Sequence, residues 1–455
     1  MELSECFDRI NRIDRIEPVN ELEHRIHEYI GRHKDRLIQI VSDLVRIPSV
    51  NSPPVGTEAA CQSYLAEALG RIGWQAELYR PDQVAGVIQH SLFWPGRDYT
   101  GRPNLGARRR GSGGGRSLVL SGHVDTVPVG SVPWSRNPFG AEIEGNRLYG
   151  RGANDMKAGV ATNLFILEAL HDLSIELRGD LVFESVVDEE FGGSNGTLAG
   201  RLAGFNGDAA VFSEPSFLRI CPAQRGGRTA HIELRAPAEG ILDENGLGPG
   251  VVTQLRHFLS RLEDFVDVRR KTALPHPLYR RHASDPVPIS VTKISTGPWG
   301  AQEPMAVPGS CLIELYWQAM PGESQQTIDD QFSGWMQQLL ASAPELFQTP
   351  PLVKFPFRWL PGSESPASTL VEELAACASA VLGTPPAIEG IEGPGDIFLF
   401  HELCGVPAVY WGARGANTHA GDEYVEIDSV IARRTRAPAV CLSLVWDDRE
   451  MKGRG

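Results

Sequence analysis

The chain has 455 residues, which is long enough for two or three domains of ordinary size. Its content of 42% hydrophobic and 22% charged residues is typical of globular proteins and excludes collagen-like, low-complexity and wholly disordered classes. The 57 acidic residues outnumber the 43 basic ones, and the formal net charge of -14 disfavours a nucleic-acid partner, which would need a basic surface.

The first predicted elements are two helices and a long polar segment. Apolar residues at three- and four-residue steps predict one amphipathic helix over residues 20–47, ending before Pro48. A second helix is predicted over residues 57–69. The following segment, rich in Gly, Pro and Arg, reaches Gly115, and its three consecutive arginines, 108–110, are predicted to lie in a solvated loop.

Beyond Gly115 the pattern changes to short apolar runs that each end in polar residues. These runs predict strands over residues 117–120, 181–187, 209–212 and 408–411, and a predicted helix over 156–170 separates the first two. Strands that alternate with helices indicate an α/β structure. The predicted fold class is therefore α/β, with a mixed, largely parallel sheet flanked by helices.

Residues 223–347 have a different pattern, in which strand-like segments flank one helical stretch and a second helical stretch follows. This order predicts a small α+β domain inserted into the α/β domain. We expect the α/β domain to be formed by residues 1–222 and 348–455, and the inserted domain by residues 223–347.

Ligands of open α/β sheets bind at the carboxyl ends of the strands, so the polar residues that close each apolar run are candidate site residues. They are His123, Asp125, Asp155, Asp188, Glu189, Glu190, Glu214, His419, Asp422 and Glu423. Such a set of carboxylates repels itself unless it is protonated or bound to cations. Two histidines with at least three carboxylates suit zinc or a similar divalent ion, and the number of carboxylates suits two metals bridged by one Asp.

The spacing within this set suggests further roles. His123 and Asp125 are two residues apart in an extended segment, so both point to one face and Asp125 can accept the free imidazole N–H of His123. Glu189 and Glu190 are adjacent and point apart in extended backbone, so one can bind a metal while the other faces substrate as a general base. The sequence does not place Asp422 and Glu423, which stay outside the predicted ligand set.

At these residues the chain resembles the zinc metallopeptidase family of acetylornithine deacetylase, succinyl-diaminopimelate desuccinylase, aminoacylase and glutamate carboxypeptidase. The resemblance covers about residues 35–450. The motifs that carry it occur in the family's order and spacing, and they are SGHVDTVP, YGRGANDMKAG, VVDEEFGG, SEPS and THAGDEYV.

The resemblance implies five metal ligands. In it Asp155 bridges two ions, His123 and Glu214 bind one of them, and Glu190 and His419 bind the other. The implied cofactors are two divalent ions, zinc first, with cobalt or manganese as alternatives.

The resemblance also implies that Glu189 is the general base. It implies that Asp125 is not itself a metal ligand but orients the ligand His123 through its carboxylate. It further implies a cis peptide bond between Asp155 and Met156. The family fold is a catalytic α/β domain interrupted by an α+β lid that often forms a homodimer, which agrees with the inserted segment.

The lid departs from the family pattern. The family places a His in the segment that here reads RAPAEGILDENG, and this segment has none; His231 lies earlier, within a predicted strand, and is expected to be structural. At the positions of a family Asn and a family Arg the chain has Met305 and Gln318. Because Gln cannot replace the charge of an Arg that holds a substrate carboxylate, the substrate is in question.

The function that we expect is hydrolysis of the amide bond of a small N-acyl or N-formyl amine or amino-acid derivative by a metal-activated water, with Glu189 as general base. Two alternatives are a dipeptidase or carboxypeptidase of the same mechanism, and a metal-retaining protein without hydrolytic activity.

The seven cysteines are scattered without a Cys-x-x-Cys pair, and no apolar run has the length of a signal peptide or membrane helix. A cytoplasmic location and no membrane partner are expected.

Overall fold

The structure is a computed structural model that describes residues 21–434 except 193, 241–247, 301 and 303–305. The chain divides into two compact units. The first contains the chain up to Pro222, Ser365–Glu389 and the chain from Leu399, and the second contains Ala223–Glu364 and Gly390–Phe398. The second unit thus extends beyond 347, where the sequence analysis ended the inserted domain, because the strand at Leu352–Lys354 pairs with the strand at Gly226–Arg235.

The helices are α1 Glu21–Arg32, α2 Lys34–Arg46, α3 Ala59–Arg71, α4 Ala158–Asp172, α5 Asn195–Leu202, α6 Val251–Thr272, α7 Gln325–Ser342, α8 Leu370–Leu382, α9 Ile397–Leu399 and α10 Ile427–Arg434. None of the helices in the described part of the chain combines the length and the apolar character that a membrane span requires.

The strands are β1 Asn51–Ser52, β2 Val55–Gly56, β3 Ala76–Tyr79, β4 Asn104–Arg109, β5 Leu118–His123, β6 Glu142–Glu144, β7 Arg147–Tyr149, β8 Leu181–Val186, β9 Ala209–Phe212, β10 Ile220–Gln224, β11 Gly226–Arg235, β12 Glu239–Gly240, β13 Ile289–Thr296, β14 Ala306–Val307, β15 Ser310–Ala319, β16 Leu352–Lys354, β17 Ser363–Glu364, β18 Ile388–Ile391, β19 Ala408–Tyr410, β20 Gly415–Ala416 and β21 Tyr424–Glu426.

The main sheet of the first unit has the order β3-β4-β8-β5-β9-β19. Its centre is parallel, since β5 runs parallel to β8 and β9, and β9 runs parallel to β19. The pairs β3-β4 and β4-β8 are antiparallel. The sheet is thus mixed, as predicted for this α/β fold, and the carboxyl ends of β5, β8 and β9 meet at one edge.

Helix α4 lies in the core of the first unit, where residues 158–170 are all buried. A helix that is apolar on every side is typical of such a buried position. In the second unit, the antiparallel sheet β13-β15-β11-β16 and helices α6 and α7 enclose an aromatic core that includes Phe265, Trp317, Phe332 and Trp335.

Two local predictions are wrong. The single helix expected over 20–47 is two helices, because His33 leaves the helical conformation with φ -112° and ψ 20°. Two of the three arginines expected in a loop belong to strand β4 instead, where Arg108 and Arg109 pair in register with Val182 and Leu181 of β8, and Arg110 follows the strand. The Arg108 guanidinium lies 3.2 Å from the Asp180 carboxylate, so this basic cluster has an acidic partner at the sheet edge.

Candidate metal centre

Two groups of potential ligands share the carboxylate of Asp155. One consists of His123, Asp155 and Glu214, the other of Asp155, Glu190 and His419, and within each group the ligand atoms all lie within 4.8 Å of one another. Asp155 Oδ1 lies 3.1 Å from His123 Nε2, while Asp155 Oδ2 lies 3.3 Å from His419 Nε2. The two oxygens of one carboxylate therefore face two different groups.

The parallel strands bring most of these residues together. His123 is the last residue of β5, Glu190 follows β8, and Glu214 follows β9, so all three lie at the same sheet edge. His123 Nε2 is 3.3 Å from Glu214 Oε1 in the first group. In the second group His419 Nε2 is 2.8 Å from Glu190 Oε2, and His419 comes from a loop between β20 and β21.

Asp155 lies in a tight segment that leads into α4. Gly152 has a positive φ of 78°, and Asp155 itself has φ -116° and ψ 97°, outside the helical region. A side chain at Gly152 would have its Cβ 2.5 Å from Thr126, so this position requires glycine. The peptide bond between Asp155 and Met156 is cis, which is the geometry that the resemblance implied.

Asp125 is a buried acceptor that holds the neighbouring segments. Its Oδ2 accepts hydrogen bonds from the backbone N–H of Glu189 and of Glu190, both at 3.1 Å, and from Asn51 Nδ2 at 2.9 Å. The nearest partner of His123 Nδ1 is the backbone oxygen of Asp125 at 2.9 Å, and the carboxylate Oδ1 is farther, at 3.5 Å. Asp125 thus orients the imidazole through its carbonyl as well as its carboxylate.

The two adjacent glutamates have different surroundings. Glu190 is buried, with Oε1 accepting from the backbone N–H of Val127 at 3.2 Å and Oε2 facing His419. Glu189 belongs to neither ligand group, and its Oε2 lies 3.9 Å from His123 Nε2. A carboxylate beside the ligands but outside their set is suited to proton transfer.

The electrostatics of the cluster reflect an excess of negative charge. Burial and the charges of Asp155 and Glu190 raise the pKa of Glu214 to about 8, against the opposing effect of His123. Burial lowers the pKa of His419, but Glu190 and Asp155 outweigh it and raise that pKa to about 11. The pKa of His123 is likewise raised well above its usual value by Glu214, Asp125 and Asp155, despite burial.

Without a cation, these side chains must share protons in order to coexist. The donor set consists of imidazole nitrogens and carboxylate oxygens that converge on two points, and both donor types bind zinc and similar divalent ions. Bound cations would replace the shared protons and remove the repulsion. The residues present therefore fit two divalent ions, one for each ligand group, and Asp155 belongs to both groups.

The sequence analysis included Asp188 among the candidates but missed Asn51, Arg97 and Tyr99, which bind its carboxylate. Asp188 accepts hydrogen bonds from Arg97 Nε at 3.0 Å and Tyr99 OH at 2.6 Å, and Asn51 Nδ2 lies between Asp188 and Asp125. Glu423 was left outside the ligand set, and here its carboxylate accepts hydrogen bonds from the backbone next to Asp155. These pairs are far apart in sequence, so no local pattern indicates them.

The lid residues lie in the second unit. Gln318 is buried and its amide is fully used: Oε1 accepts from Arg225 Nη1 at 2.9 Å, and Nε2 donates to the backbone oxygen of Glu392 at 2.7 Å and to Tyr316 OH at 3.2 Å. His231 Nε2 lies 2.8 Å from Glu314 Oε2 across β11 and β15, an arrangement that fits a structural role. Met305 lies outside the described residues.

Sequence comparison identifies the class of protein. The model of peptidase family M20/M25/M40 matches residues 119–439, well over half of the chain, and the chain therefore belongs to this family. The matched part includes all the ligand candidates.

Individual relatives agree with this membership. An N-formyl-4-amino-5-aminomethyl-2-methylpyrimidine deformylase from Halalkalibacterium halodurans is 32% identical, over 46% of this chain and 45% of that protein, so the match spans about half of each. A succinyl-diaminopimelate desuccinylase from Dinoroseobacter shibae is 24% identical over 86% of this chain and 95% of that protein. The di-peptidase Dug1p from Saccharomyces cerevisiae shares the fold, with a TM-score of 0.73 and 14% identity over 94% of this chain and 99% of that one.

Proposed function

We propose that the protein is a metal-dependent hydrolase that cleaves the amide C–N bond of a small N-acyl or N-formyl amine or amino-acid derivative. The observation that carries this proposal is the carboxylate of Asp155, whose two oxygens each face an imidazole with its own carboxylate partner. We assign one metal ion to His123, Asp155 and Glu214, and the other to Asp155, Glu190 and His419. Zinc is the preferred metal, with cobalt and manganese as alternatives.

Two bound divalent cations would supply Lewis acidity, which polarises an amide carbonyl and lowers the pKa of a water molecule. Glu189 takes the proton of the attacking water at a carboxylate oxygen and then passes it to the leaving amine. The Asp125 carboxylate accepts a hydrogen bond from the backbone N–H of Glu189, and this bond holds the general base in position beside the ligands.

The names of two relatives, a deformylase and a desuccinylase, support an acyl group on nitrogen as the substrate feature. The runner-up is a dipeptidase or carboxypeptidase of the same mechanism, which the fold shared with a di-peptidase favours. A metal-retaining protein without hydrolytic activity is the third candidate. Glu189 argues against it, since a carboxylate held beside the ligand groups but outside them has a use in proton transfer and none in metal retention.

The experiment that tests the proposal has two parts. Elemental analysis of protein saturated with zinc is expected to give two metal ions per chain, and no more than one would refute the two-metal site. Metal-loaded protein is then screened for amine release from a library of N-acyl and N-formyl compounds, with dipeptides in competition. Faster cleavage of dipeptides than of every acylated amine would favour the runner-up.

The second unit leads to two further proposals. The chain forms a homodimer through this unit, as the resemblance implies, and sedimentation equilibrium of the wild-type chain tests it. The second proposal concerns the substrate. The Gln318 amide is neutral and its hydrogen bonds are already made within the protein, so it does not bind a substrate carboxylate. The substrate therefore either lacks a carboxylate or has it bound by a cationic residue elsewhere. Arg225 is one such cation, since its Nε and Nη2 are buried with no hydrogen-bond partner among the described residues.

A further inference from the structure

Glu423 has a buried carboxylate that is surrounded by the backbone of the segment carrying Asp155. Its Oε1 accepts from the N–H of Asn154 at 3.0 Å and of Asp155 at 3.1 Å, and its Oε2 accepts from the N–H of Gly152 at 3.0 Å. Only 1% of Glu423 is exposed. Consecutive N–H groups that converge on one anion form a concave backbone site, and here the anion belongs to the protein itself.

An arginine completes this arrangement and extends it to the loop of His419. Arg151 Nη1 donates to Glu423 Oε2 at 2.7 Å, and Arg151 Nη2 donates to the backbone oxygen of Ala420 at 3.2 Å. A third contact joins the same two segments, because Asn154 Nδ2 donates to Thr418 Oγ1 at 2.7 Å. The segments that carry Asp155 and His419 are therefore held together by side chains of residues that neighbour the ligands in sequence.

The two ligand groups differ in how much they depend on these contacts. His123 ends strand β5 and Glu214 follows strand β9, so two of the three members of the first group are carried by the central sheet. In the second group, Asp155 and His419 both come from the segments that Glu423 and Arg151 join. His419 has a positive φ of 63°, a conformation that is uncommon for residues other than glycine.

We propose that Glu423 is a positioning residue that sets the affinity of the second metal site, formed by Asp155, Glu190 and His419, and affects the first site much less. This inference rests on the proposed two-metal function and goes beyond it by giving the two sites unequal dependence on one buried carboxylate. Glu423 belongs to neither ligand group, and it acts through the backbone of Asp155 and, with Arg151, through the loop of His419.

Glu423→Gln tests this dependence. The amide has one acceptor oxygen, and its NH₂ group would face backbone N–H donors or the Arg151 guanidinium, so part of the arrangement is lost while the size of the side chain is kept. Removing a group that supports a metal ligand weakens metal affinity by about tenfold to a hundredfold. Isothermal titration of zinc into the metal-free full chain, with a competing chelator, measures each affinity.

Backgrounds with one intact site assign the effect. In Glu214→Gln, which leaves the second site, adding Glu423→Gln is expected to lower zinc affinity about tenfold or more. In Glu190→Gln, which leaves the first site intact, adding Glu423→Gln is expected to change the zinc affinity by less than about threefold. Equal changes in the two backgrounds, or no change in either, would overturn the proposal, since a merely structural role moves both affinities together.

Asp422→Asn is the matched control. Asp422 is the adjacent carboxylate, but it accepts from the N–H and hydroxyl of Ser135 rather than from the segment of Asp155. Its replacement is expected to leave both zinc affinities within about threefold; a second-site loss as large as that of Glu423→Gln would overturn the proposal. Fewer than two zinc equivalents in the wild-type chain would refute the two-metal function itself and this inference with it.

Arg151→Lys decides the matter if Glu423→Gln does not fold. Lysine keeps a cation beside Glu423 but lacks the planar fork that also reaches Ala420. A smaller loss confined to the second site is expected, about threefold to tenfold, and an unchanged second site would overturn the proposal.

Discussion

Charged side chains are arranged differently in the two ligand groups of the first unit and in the buried ion pairs of the second unit. In the first unit, the two ligand groups contain three carboxylates and two imidazoles. In the second unit, buried arginines meet carboxylates one to one, as Arg269 does with Glu323 at 2.9 Å and Arg228 with Asp329 at 2.8 Å. Paired charges hold a fold in place, whereas an uncompensated cluster requires something from outside the chain.

Arg225 is the exception in the second unit. It is 3% exposed, and its guanidinium carbon lies 5.0 Å from the ring centroid of Tyr279. Its Nη1 donates a hydrogen bond to the neutral amide of Gln318, while Nε and Nη2 have no hydrogen-bond partner among the described residues. Burial lowers the pKa of its guanidinium from the usual value. By the same reasoning as in the first unit, a buried cation with no carboxylate among its hydrogen-bond partners in the described part of the chain is a candidate for binding an anion.

The largest effect is expected from breaking a paired charge of the second unit. Glu323→Ala leaves Arg269 buried without its carboxylate and should lower the free energy of unfolding by about 3–5 kcal/mol. Urea unfolding measures this loss of free energy. The zinc content should stay at the wild-type level, because neither residue belongs to a ligand group. Glu263→Ala, at an exposed pair with Arg270, is the control and should cost less than about 1 kcal/mol. Loss of zinc in Glu323→Ala would break the distinction between the two units.

The next effect concerns the two adjacent glutamates of the first unit. Glu189→Gln should lower kcat by about a hundredfold or more, roughly 2.7 kcal/mol in activation free energy, with zinc content nearly intact. Glu190→Gln should instead weaken zinc binding, because Glu190 is in the second ligand group. Steady-state kinetics with elemental analysis separates the two. Equal zinc loss in both variants would contradict this division of roles.

A third prediction concerns pH. The raised pKa values of His419, about 11, and Glu214, about 8, mean that the folded metal-free protein holds these protons more tightly than the unfolded chain does. This tighter proton binding stabilises the folded metal-free protein at low pH. The stabilisation is lost as the pH rises from the pKa values of these groups in the unfolded chain towards their pKa values in the folded protein.

Zinc binds the deprotonated ligands, so the stabilisation by added zinc should grow with pH. We expect the increase in Tm on adding zinc to be larger at about pH 8 than at about pH 6, with a stabilisation of about 2.7 kcal/mol once zinc exceeds its Kd a hundredfold. Calorimetry at both pH values, with magnesium as the control ion, measures it. A zinc effect that shrinks as pH rises would show that the cluster is not the binding site.

The smallest predicted effect is on substrate choice. Because Gln318 is neutral, N-acetylornithine and N-succinyl-diaminopimelate should have kcat/KM values about tenfold or more below that of an N-acylated amine without the carboxylate, about 1.4 kcal/mol. A native preference for the carboxylate substrates would reverse this expectation. Arg225→Gln then tells whether Arg225 binds the carboxylate, since only in that case does the variant lose the preference.

Much of the fold and of the candidate site could be predicted from local pattern. The apolar runs that end in polar residues predicted β5, β8, β9 and β19 to within a few residues, because a buried strand needs apolar side chains along its whole length. Their polar ends meet at one sheet edge in any parallel arrangement. The sequence alone therefore predicted that His123, Glu190 and Glu214 lie close together in the fold.

Tertiary structure alone decided what supports those residues. Glu423 and Asp155 are 268 residues apart, and Asn51 and Asp125 are 74 apart, so no periodicity or spacing connects them. The contact of Glu423 with the Asp155 segment depends on the pairing of β21 with β7 and on burial, which leaves backbone N–H groups in need of an acceptor. Local sequence determines which segments are strands and helices, whereas the partners of buried polar groups follow only from how those segments pack.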